Sequence, residues 1–267
     1  MTNTKTYFAF TVLGSGSKGN ATVIHGPEGS FLLDAGFNAT ELRRRMESRD
    51  IDPDEIKAIF LTHSHGDHTA SCRVFTKKSR IPVYMTPELY LDLKNDKAKY
   101  MPENPILMLA GTSVSICGVT VESFGISHNV DAVAYTFRAA DCKLGYATDL
   151  GCFNDAFCRK MEACDAIILE SNHDPKMLWA SDRPLELKRR IAGKHGHLNN
   201  SEACDCLRHL LAPCTRHLIL AHLSQVCNDP ELVKACVQQT LHDMNREDIV
   251  FELARQDSPL ETFRLTA

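Results

Sequence analysis

The sequence lacks the features of several classes of protein. It has no stretch of about 18 consecutive apolar residues, so we expect no membrane-spanning helix. The first residues, Met-Thr-Asn-Thr-Lys-Thr, do not resemble the apolar core of a signal peptide. There is also no internal repeat and no low-complexity tract. We therefore expect a globular protein that is neither secreted nor embedded in a membrane.

The cysteines do not form a disulfide framework. There are 11 of them, an odd number, and they are scattered without any C-x-x-C pair. Disulfide-rich domains and cysteine metal sites usually show paired or regularly spaced cysteines. We therefore expect reduced thiols, most of them small core residues, in a cytoplasmic protein.

Composition and charge exclude a disordered chain and a chain that is basic overall. The chain is 43% hydrophobic and 24% charged, which is typical of globular proteins and excludes a disordered chain. Its formal net charge is −4, so any contact with nucleic acid must use a local basic patch. The length, 267 residues, suits one large domain or two small ones. We expect a single domain over residues 1–267.

Hydrophobic periodicity predicts short strands mixed with helices. Strands are predicted at 7–13, 21–25, 31–34, 56–61, 82–85, 106–109, 113–116, 119–126, 133–138, 142–148, 166–169 and 217–220. Helices are predicted at 40–49, 87–94, 184–193, 200–211 and 230–244, with others beginning near Asp67 and around Cys158. This pattern indicates an α/β fold (α+β by some schemes) with two sheets and helices packed outside them.

The glycine-rich segment Gly14-Ser-Gly-Ser-Lys-Gly19 fits the dinucleotide-binding pattern G-x-G-x-x-G after a strand. That site needs a helix next, because the helix N-terminus holds the pyrophosphate. Residues 20–29 instead predict a second strand and a hairpin. We interpret the segment as a tight turn between strands, in which Ser17 or Asn20 could line an anion site.

The most informative segment is Thr62-His-Ser-His-Gly-Asp-His68, in which three histidines and an aspartate follow an apolar strand. Because His63 and His65 are two residues apart, their imidazoles can point the same way. Asp67 and His68 could serve a second metal. Such a dense cluster predicts metal binding.

Four more polar residues each follow a predicted strand at its carboxyl end. They are Asp34, His128, Asp149 and His222. Open α/β sheets place their sites at such strand ends. Together with the cluster, these residues supply seven ligands for two metals and one supporting acid.

Imidazole and carboxylate ligands suit Zn²⁺, Mn²⁺ or Fe²⁺ better than the metals that prefer thiolates. Two such ions about 3.5–4 Å apart can share a bridging carboxylate and a hydroxide. The bridging hydroxide would be the nucleophile of a hydrolase at neutral pH.

In this order, the residues resemble the metallo-β-lactamase superfamily, whose H-x-H-x-D-H motif is matched from His63 to His68. The resemblance runs from Leu13 to about residue 225 and implies a four-layer αββα sandwich. The ligand sets that it implies are His63, His65 and His128 for a first metal and Asp67, His68 and His222 for a second. Asp149 would bridge the two ions, and Asp34 would orient one of the ligands.

Further segments are similar to the YycJ/WalJ-type branch of this superfamily, a group of DNA exonuclease-like phosphodiesterases. They are residues 12–22, 169–174, 187–190, 196–200 and 221–228. The chain has no room for a β-CASP nuclease insertion, and its last motif carries less charge than we expect. The resemblance implies a metal-dependent exonuclease in which Asp67 and Asp149 are catalytic as well as metal-binding.

A further catalytic candidate is His197. Its placement is similar to that of a histidine that RNase Z-like members use on the phosphate. It could protonate the leaving alkoxide or stabilise a phosphate oxygen, whereas the alternative is a surface loop residue. Asn172, His173 and Asn199 are additional candidates for phosphate contact, with structural loop contacts as the alternative. We assign no function to the remaining histidines, which are His25, His195, His209, His217 and His242.

A basic run precedes His197. Arg183, Lys188, Arg189, Arg190 and Lys194 could hold a phosphate backbone, although a solvated helix face is the alternative. Trp179 lies in the same region and could stack on a base.

Three functions compete at this point. A dinuclear phosphodiesterase or nuclease, with DNA or a small phosphodiester as substrate, is favoured by the ligands and His197. The second is another hydrolase of this fold, such as a glyoxalase II-type thioesterase or a lactamase. The third is a binding module with a vestigial site, which is disfavoured because buried unpaired histidines and aspartates are costly.

Overall fold

The structure is a computed structural model that describes residues 8–266, so residue 7 of the first predicted strand lies outside the described part. The strands are β1 Phe8–Gly14, β2 Ala21–Gly26, β3 Gly29–Leu33, β4 Ile56–Phe60, β5 Val83–Met85, β6 Pro105–Leu107, β7 Ser113–Ile116, β8 Val119–Gly125, β9 Val133–Ala139, β10 Cys142–Ala147, β11 Ala166–Glu170, β12 His217–Ala221, β13 Val250–Leu253 and β14 Phe263–Leu265. The helices are α1 Ala39–Glu47, α2 Gly66–Thr69, α3 Cys72–Ser79, α4 Pro87–Asn95, α5 Asp155–Met161, α6 Pro175–Ala180, α7 Leu185–Ile191, α8 Asn200–Leu210 and α9 Pro230–Asp243.

The strands form two mixed sheets. The first has the order β14-β1-β2-β3-β4-β5-β6 and the second the order β13-β12-β11-β10-β9-β8-β7. Strands β3 to β6 are parallel in the first sheet, and β10 to β13 are parallel in the second. The carboxyl ends of parallel strands lie at one edge of a sheet, so residues that follow β3, β4, β10, β11 and β12 can meet.

A continuous apolar core joins the two sheets face to face. Its largest fully buried members are six aromatic side chains, those of Phe8, Phe10, Phe31, Phe60, Tyr135 and Phe137. Alternate residues of each strand point inward to this core, as expected for sheets that are covered on both faces. The inter-sheet core fixes the two sheets relative to one another.

Helices cover the outer faces of both sheets. Leu42 and Met46 of α1 and Leu89 of α4 pack on the first sheet, and Phe157 of α5 and Leu207 of α8 pack on the second. The αββα sandwich implied by the sequence is therefore confirmed. Within residues 8–266, none of the helices has the length and hydropathy that crossing a bilayer requires.

Helix α8 shows how local sequence sets an element near the site. Its N-cap is Asn199, whose side chain accepts a hydrogen bond from the Glu202 N–H, while the Glu202 side chain accepts one from the Asn199 N–H. This capping box satisfies N–H groups that have no partner within the helix. Ala203, Leu207 and Leu210 recur at helical spacing and are buried.

Most predicted elements are confirmed with shifts of a few residues, but the sequence missed α3, α6, β13 and β14. Strand β13 alternates exposed and half-buried residues and pairs only with β12, so it lacks a buried apolar run. The glycine-rich segment is a turn between β1 and β2, as predicted, and no helix follows it.

Candidate metal centre

Three of the predicted residues lie one or two residues beyond the end of a strand and have a left-handed backbone. The φ angles of Asp34, Asp149 and His222 are 58°, 57° and 56°. This conformation is uncommon for residues other than glycine, and holding one residue in it costs about 1–3 kcal/mol. The surrounding structure therefore maintains a sharp turn at each of these strand ends, at the edge where the two sheets meet.

One group of potential ligands contains His63, His65, His128 and Asp149. Nε2 of His63 lies 3.0 Å from Nδ1 of His65, and Nε2 of His128 lies 3.9 Å from Oδ1 of Asp149. His63, His128 and Asp149 are buried, and His65 is partly exposed. These residues come from the ends of β4 and β10 and from the loop after β8.

A second group contains Asp67, His68 and His222. Oδ2 of Asp67 lies 3.7 Å from Nε2 of His68 and 3.6 Å from Nε2 of His222. Oδ2 of Asp149 lies 3.1 Å from Nε2 of His68, so Asp149 contacts both groups. The structure thus brings together all seven residues that the sequence analysis selected as ligands.

The spacing of these atoms fits divalent cations. Ligand atoms 2.0–2.2 Å from a tetrahedral metal are about 3.3–3.6 Å apart, close to the 3.0–3.9 Å observed. Within the described residues, Nε2 of His128, Oδ2 of Asp149 and Nε2 of His222 are buried without a hydrogen-bond partner. Since buried polar atoms are rarely left without partners, this donor set suits divalent cations.

Hydrogen bonds to Nδ1 orient the rings of two of the histidines, His68 and His128. Nδ1 of His68 donates to Oδ2 of Asp34 at 2.7 Å, and Nδ1 of His128 donates to the Gly196 carbonyl at 3.2 Å. Asp34 is fully buried and also accepts from the N–H and hydroxyl groups of Thr62. A proton on Nδ1 makes Nε2 the nitrogen that can bind a metal, and metal-binding histidines are usually oriented in this way. In this structure Nε2 of His68 accepts a hydrogen bond from the Asn20 amide at 2.9 Å.

Comparison with known proteins places the chain in a family. A sequence model described as a β-lactamase superfamily domain matches residues 30–223. The chain belongs to the metallo-β-lactamase superfamily. As a member of this superfamily it is a hydrolase.

Two bacterial relatives match most of this metallo-β-lactamase superfamily chain. One is exodeoxyribonuclease YycJ of Bacillus anthracis, 30% identical over 235 residues, which are 88% of this chain and 89% of the relative. The other is exodeoxyribonuclease WalJ of Streptococcus pneumoniae, 29% identical over 230 residues, 84% of this chain and 85% of the relative. The crystal structure of the metallo-β-lactamase fold protein YhfI from Bacillus subtilis has a TM-score of 0.74 at 17% identity and covers 97% of this chain and 100% of its own. That likeness supports the fold.

One acid of the metallo-β-lactamase centre, Glu170 at the end of β11, was not predicted from the sequence. Its carboxylate is fully buried and accepts hydrogen bonds from Nδ1 of His222 at 2.7 Å and from Nδ1 of His197 at 2.9 Å. It also accepts from the N–H groups of Asp149, Leu150 and Leu198. The sequence did contain a sign of this role, because Glu170 is an acid at the end of an apolar strand and Asp34 directly follows another.

The charges of the centre follow from burial and from neighbouring acids. Burial lowers the pKa of His63 and of His128 and favours the neutral imidazole that binds metals. Burial would also lower the pKa of His222, but Asp149 and Glu170 outweigh it and raise that pKa. Burial alone would raise the pKa of Glu170, whereas His197 and His222 hold it at about 2. Glu170 is therefore a carboxylate at neutral pH.

Four of the five phosphate-binding candidates are buried or bonded to other parts of the protein in this structure, and phosphate binding by them stays a prediction. The amide of Asn20 bonds to Ser15 and Gly16, that of Asn172 bonds to the His222 carbonyl, and Asn199 caps α8. His173 is 1% exposed. Three of these residues form hydrogen bonds within the protein and the fourth is buried, so all four help to hold the loops around the centre.

The fifth candidate, Ser17, is exposed and lines a cavity of about 180 Å³ at the metal centre. Its other lining residues include Asp67, Asp149, His197 and His195. His197 therefore borders the cavity at the metal centre, where a catalytic role for it was predicted. His195, to which we assigned no function, also lies there.

Proposed function

We propose that the chain is a dinuclear metal-dependent phosphodiesterase that removes nucleotides from the ends of DNA. The observation that carries the proposal is the arrangement of two ligand groups around Asp149 with His197 and Glu170 beside them. The names of the relatives YycJ and WalJ, both exodeoxyribonucleases, support DNA as the substrate.

One cation would be held by His63, His65 and His128, and the other by Asp67, His68 and His222. Asp149 would contribute to both sites. Zn²⁺ or Mn²⁺ suits these ligands best, and Fe²⁺ is a further candidate. When bound, such ions lower the pKa of water to near 7, which provides a nucleophile, and they neutralise charge on a phosphate oxygen.

His197 would act on the leaving group. Its Nδ1 donates to Glu170, so the carboxylate fixes the orientation of the ring. The ring is partly exposed and borders the cavity, where Nε2 can give a proton to the departing alkoxide oxygen. Glu170 is a positioning residue, because it acts through His197 and His222.

The test is product sizing on end-labelled duplex DNA with protein loaded with Mn²⁺ or Zn²⁺. We expect stepwise shortening from one end, loss of activity in His65→Ala, and normal activity in His242→Ala. His242 is a matched control because its exposed side chain pairs with Glu247 far from the centre. A metal-loaded protein that leaves DNA intact would contradict the proposal.

A second candidate, a phosphodiesterase of small molecules, is favoured by the size of the cavity. A cavity of about 180 Å³ is smaller than the roughly 300–1,000 Å³ of a typical ligand pocket, so it suits a small substrate. Hydrolysis of bis(p-nitrophenyl) phosphate without cleavage of DNA would favour this function over the first.

We also propose that residues 1–267 form one hydrolase domain, since β14 near the C-terminus pairs with β1. The 11 cysteines are free thiols, which supports a reducing compartment such as the cytoplasm.

A further inference from the structure

Helices α6 and α7 form an excursion between β11 and α8, residues 174–195, which we call the arm. Helix α7 has no buried residue, and α6 buries only Leu178. The large apolar side chains of Trp179 and Leu185 are 49% and 53% exposed. The arm therefore adds little to the core, and its surface is available to a partner.

The arm is strongly basic. It contains six lysines and arginines against three acids, in a chain whose formal net charge is −4. Within residues 8–266 no carboxylate lies within ion-pair distance of Arg183, Arg189, Arg190 or Lys194, and Lys188 donates to the Trp179 carbonyl. Several arginines elsewhere do form ion pairs, as Arg44 does with Glu41 and Arg246 with Asp248. Unpaired cations that are close together repel one another, so a polyanion would stabilise them.

The base of the arm belongs to the metal centre. Arg190 and His195 line the same cavity as Asp67 and Asp149. The Gly196 carbonyl accepts from His128, and a Cβ at Gly196 would lie 2.2 Å from the Arg190 carbonyl oxygen. This close approach fixes the end of α7 against the site.

The far end of the arm has a shallow depression. It has a volume of about 630 Å³ and is lined by Met177, Ala180, Arg183 and Val226 among others. Helix α7 lies between the residues of the depression and those of the cavity along the chain, and its seven residues are about 10 Å long. That length corresponds to about three nucleotides of a B-form strand at 3.4 Å each.

We propose that the arm binds the backbone of the DNA strand whose end lies in the metal centre. Phosphates of the first nucleotides beyond the scissile bond contact Arg189, Arg190 and Lys194, and a base about three nucleotides away stacks on Trp179. These contacts do not read sequence, because they use only charge and aromatic stacking. The inference rests on the proposed function, since it assumes that DNA is the substrate.

The test measures binding of the metal-loaded full chain to fluorescein-labelled oligothymidylates with phosphorothioate linkages, which resist cleavage. Strand lengths run from about two to about twelve nucleotides and salt from about 50 to about 200 mM. The arm variant is Arg189→Ala with Lys194→Ala, and the matched control is Lys77→Ala with Lys78→Ala on α3. Both double variants remove two exposed positive charges.

For wild type and control we expect affinity to rise with strand length up to about four nucleotides. The arm variant should bind the longer strands about tenfold more weakly at low salt. Its log–log salt slope should fall by about 1.4, because single strands lose about 0.7 per phosphate contact. Trp179 is the single tryptophan of the chain, so its fluorescence should be quenched by bound strands of four or more nucleotides.

Equal weakening in both double variants would overturn the proposal, since net charge alone would then explain binding. Unchanged Trp179 emission at saturating oligonucleotide, with an unchanged salt slope in the arm variant, would overturn it as well. The cleavage assay tests the proposed function separately. If DNA binds to the arm but is never cut, the proposed nuclease activity is refuted, and the arm is still a DNA-binding surface.

Discussion

Replacing Glu170 by glutamine tests whether a buried carboxylate holds the metal centre together. The carboxylate accepts five hydrogen bonds, three on Oε1 and two on Oε2. A glutamine has one amide oxygen, and its NH₂ group would face at least two N–H donors. If the amide oxygen takes the place of Oε1, it still accepts from His197 and His222. The N–H groups of Leu150 and Leu198 then have no acceptor.

The cost can be worked out from these bonds. A buried donor without an acceptor costs about 1–3 kcal/mol, so Glu170→Gln should lower the free energy of unfolding by about 2–6 kcal/mol. This is a large part of the roughly 5–15 kcal/mol typical of a domain. At about 2–4 °C per kcal/mol, the melting temperature should fall by at least about 4 °C. Metal affinity should fall by about 10- to 100-fold, because His222 loses a charged partner.

The assays are urea unfolding followed by circular dichroism, and titration of bound metal with a chromophoric chelator. Glu231→Gln is the matched control, because Glu231 is exposed and pairs only with Lys234 on the surface. We expect the control to change the free energy of unfolding by less than about 1 kcal/mol. The reasoning is refuted if Glu170→Gln matches the control in both assays.

Three further predictions concern other parts of the molecule. Hydrogen bonding to Cys204 lowers the pKa of Cys236 to about 7, so alkylation of Cys236 by iodoacetamide should be half-maximal near pH 7. In Cys204→Ala, mass spectrometry should place that midpoint near about pH 8.5, and an unmoved midpoint would contradict the assignment. Asp34→Ala removes the acceptor of His68 and should weaken metal binding about 10- to 100-fold in a chelator competition, so wild-type affinity would count against its orienting role. Ile219→Ala empties part of the inter-sheet core and should cost about 2–5 kcal/mol in urea unfolding, and a loss below about 1 kcal/mol would show that the core closes around the gap.

Local sequence determined much of the fold. Buried strands such as β4 and β11 are short apolar runs, and helices such as α8 carry a cap and an apolar face, so both are visible without tertiary contacts. The edge strand β13 and the short helix α6 were missed because their patterns are weak. Strand β13 depends on pairing with β12, which lies about 30 residues earlier in the chain.

The metal ligands were readable because their chemistry is concentrated in the sequence. Three histidines and an aspartate within six residues are unusual, and the single ligands each end an apolar strand. The roles of the polar residues around them were not readable. An asparagine near the metal ligands could bind phosphate or hold a loop, and the sequence does not distinguish the two. In the structure Asn20 and Asn172 both form hydrogen bonds within the protein.

The sequence by itself determined which residues could bind metal and which strands would carry them, because ligand type and strand pattern are local properties. Only the tertiary structure decided that Glu170 supports both His197 and His222, since these histidines lie 27 and 52 residues further along the chain. It also decided that Arg190 and His195 border the metal centre while α7 remains outside the core. Such contacts depend on how β11, β12 and the arm are placed in space, and that placement is set by the packing of the two sheets and not by any local pattern.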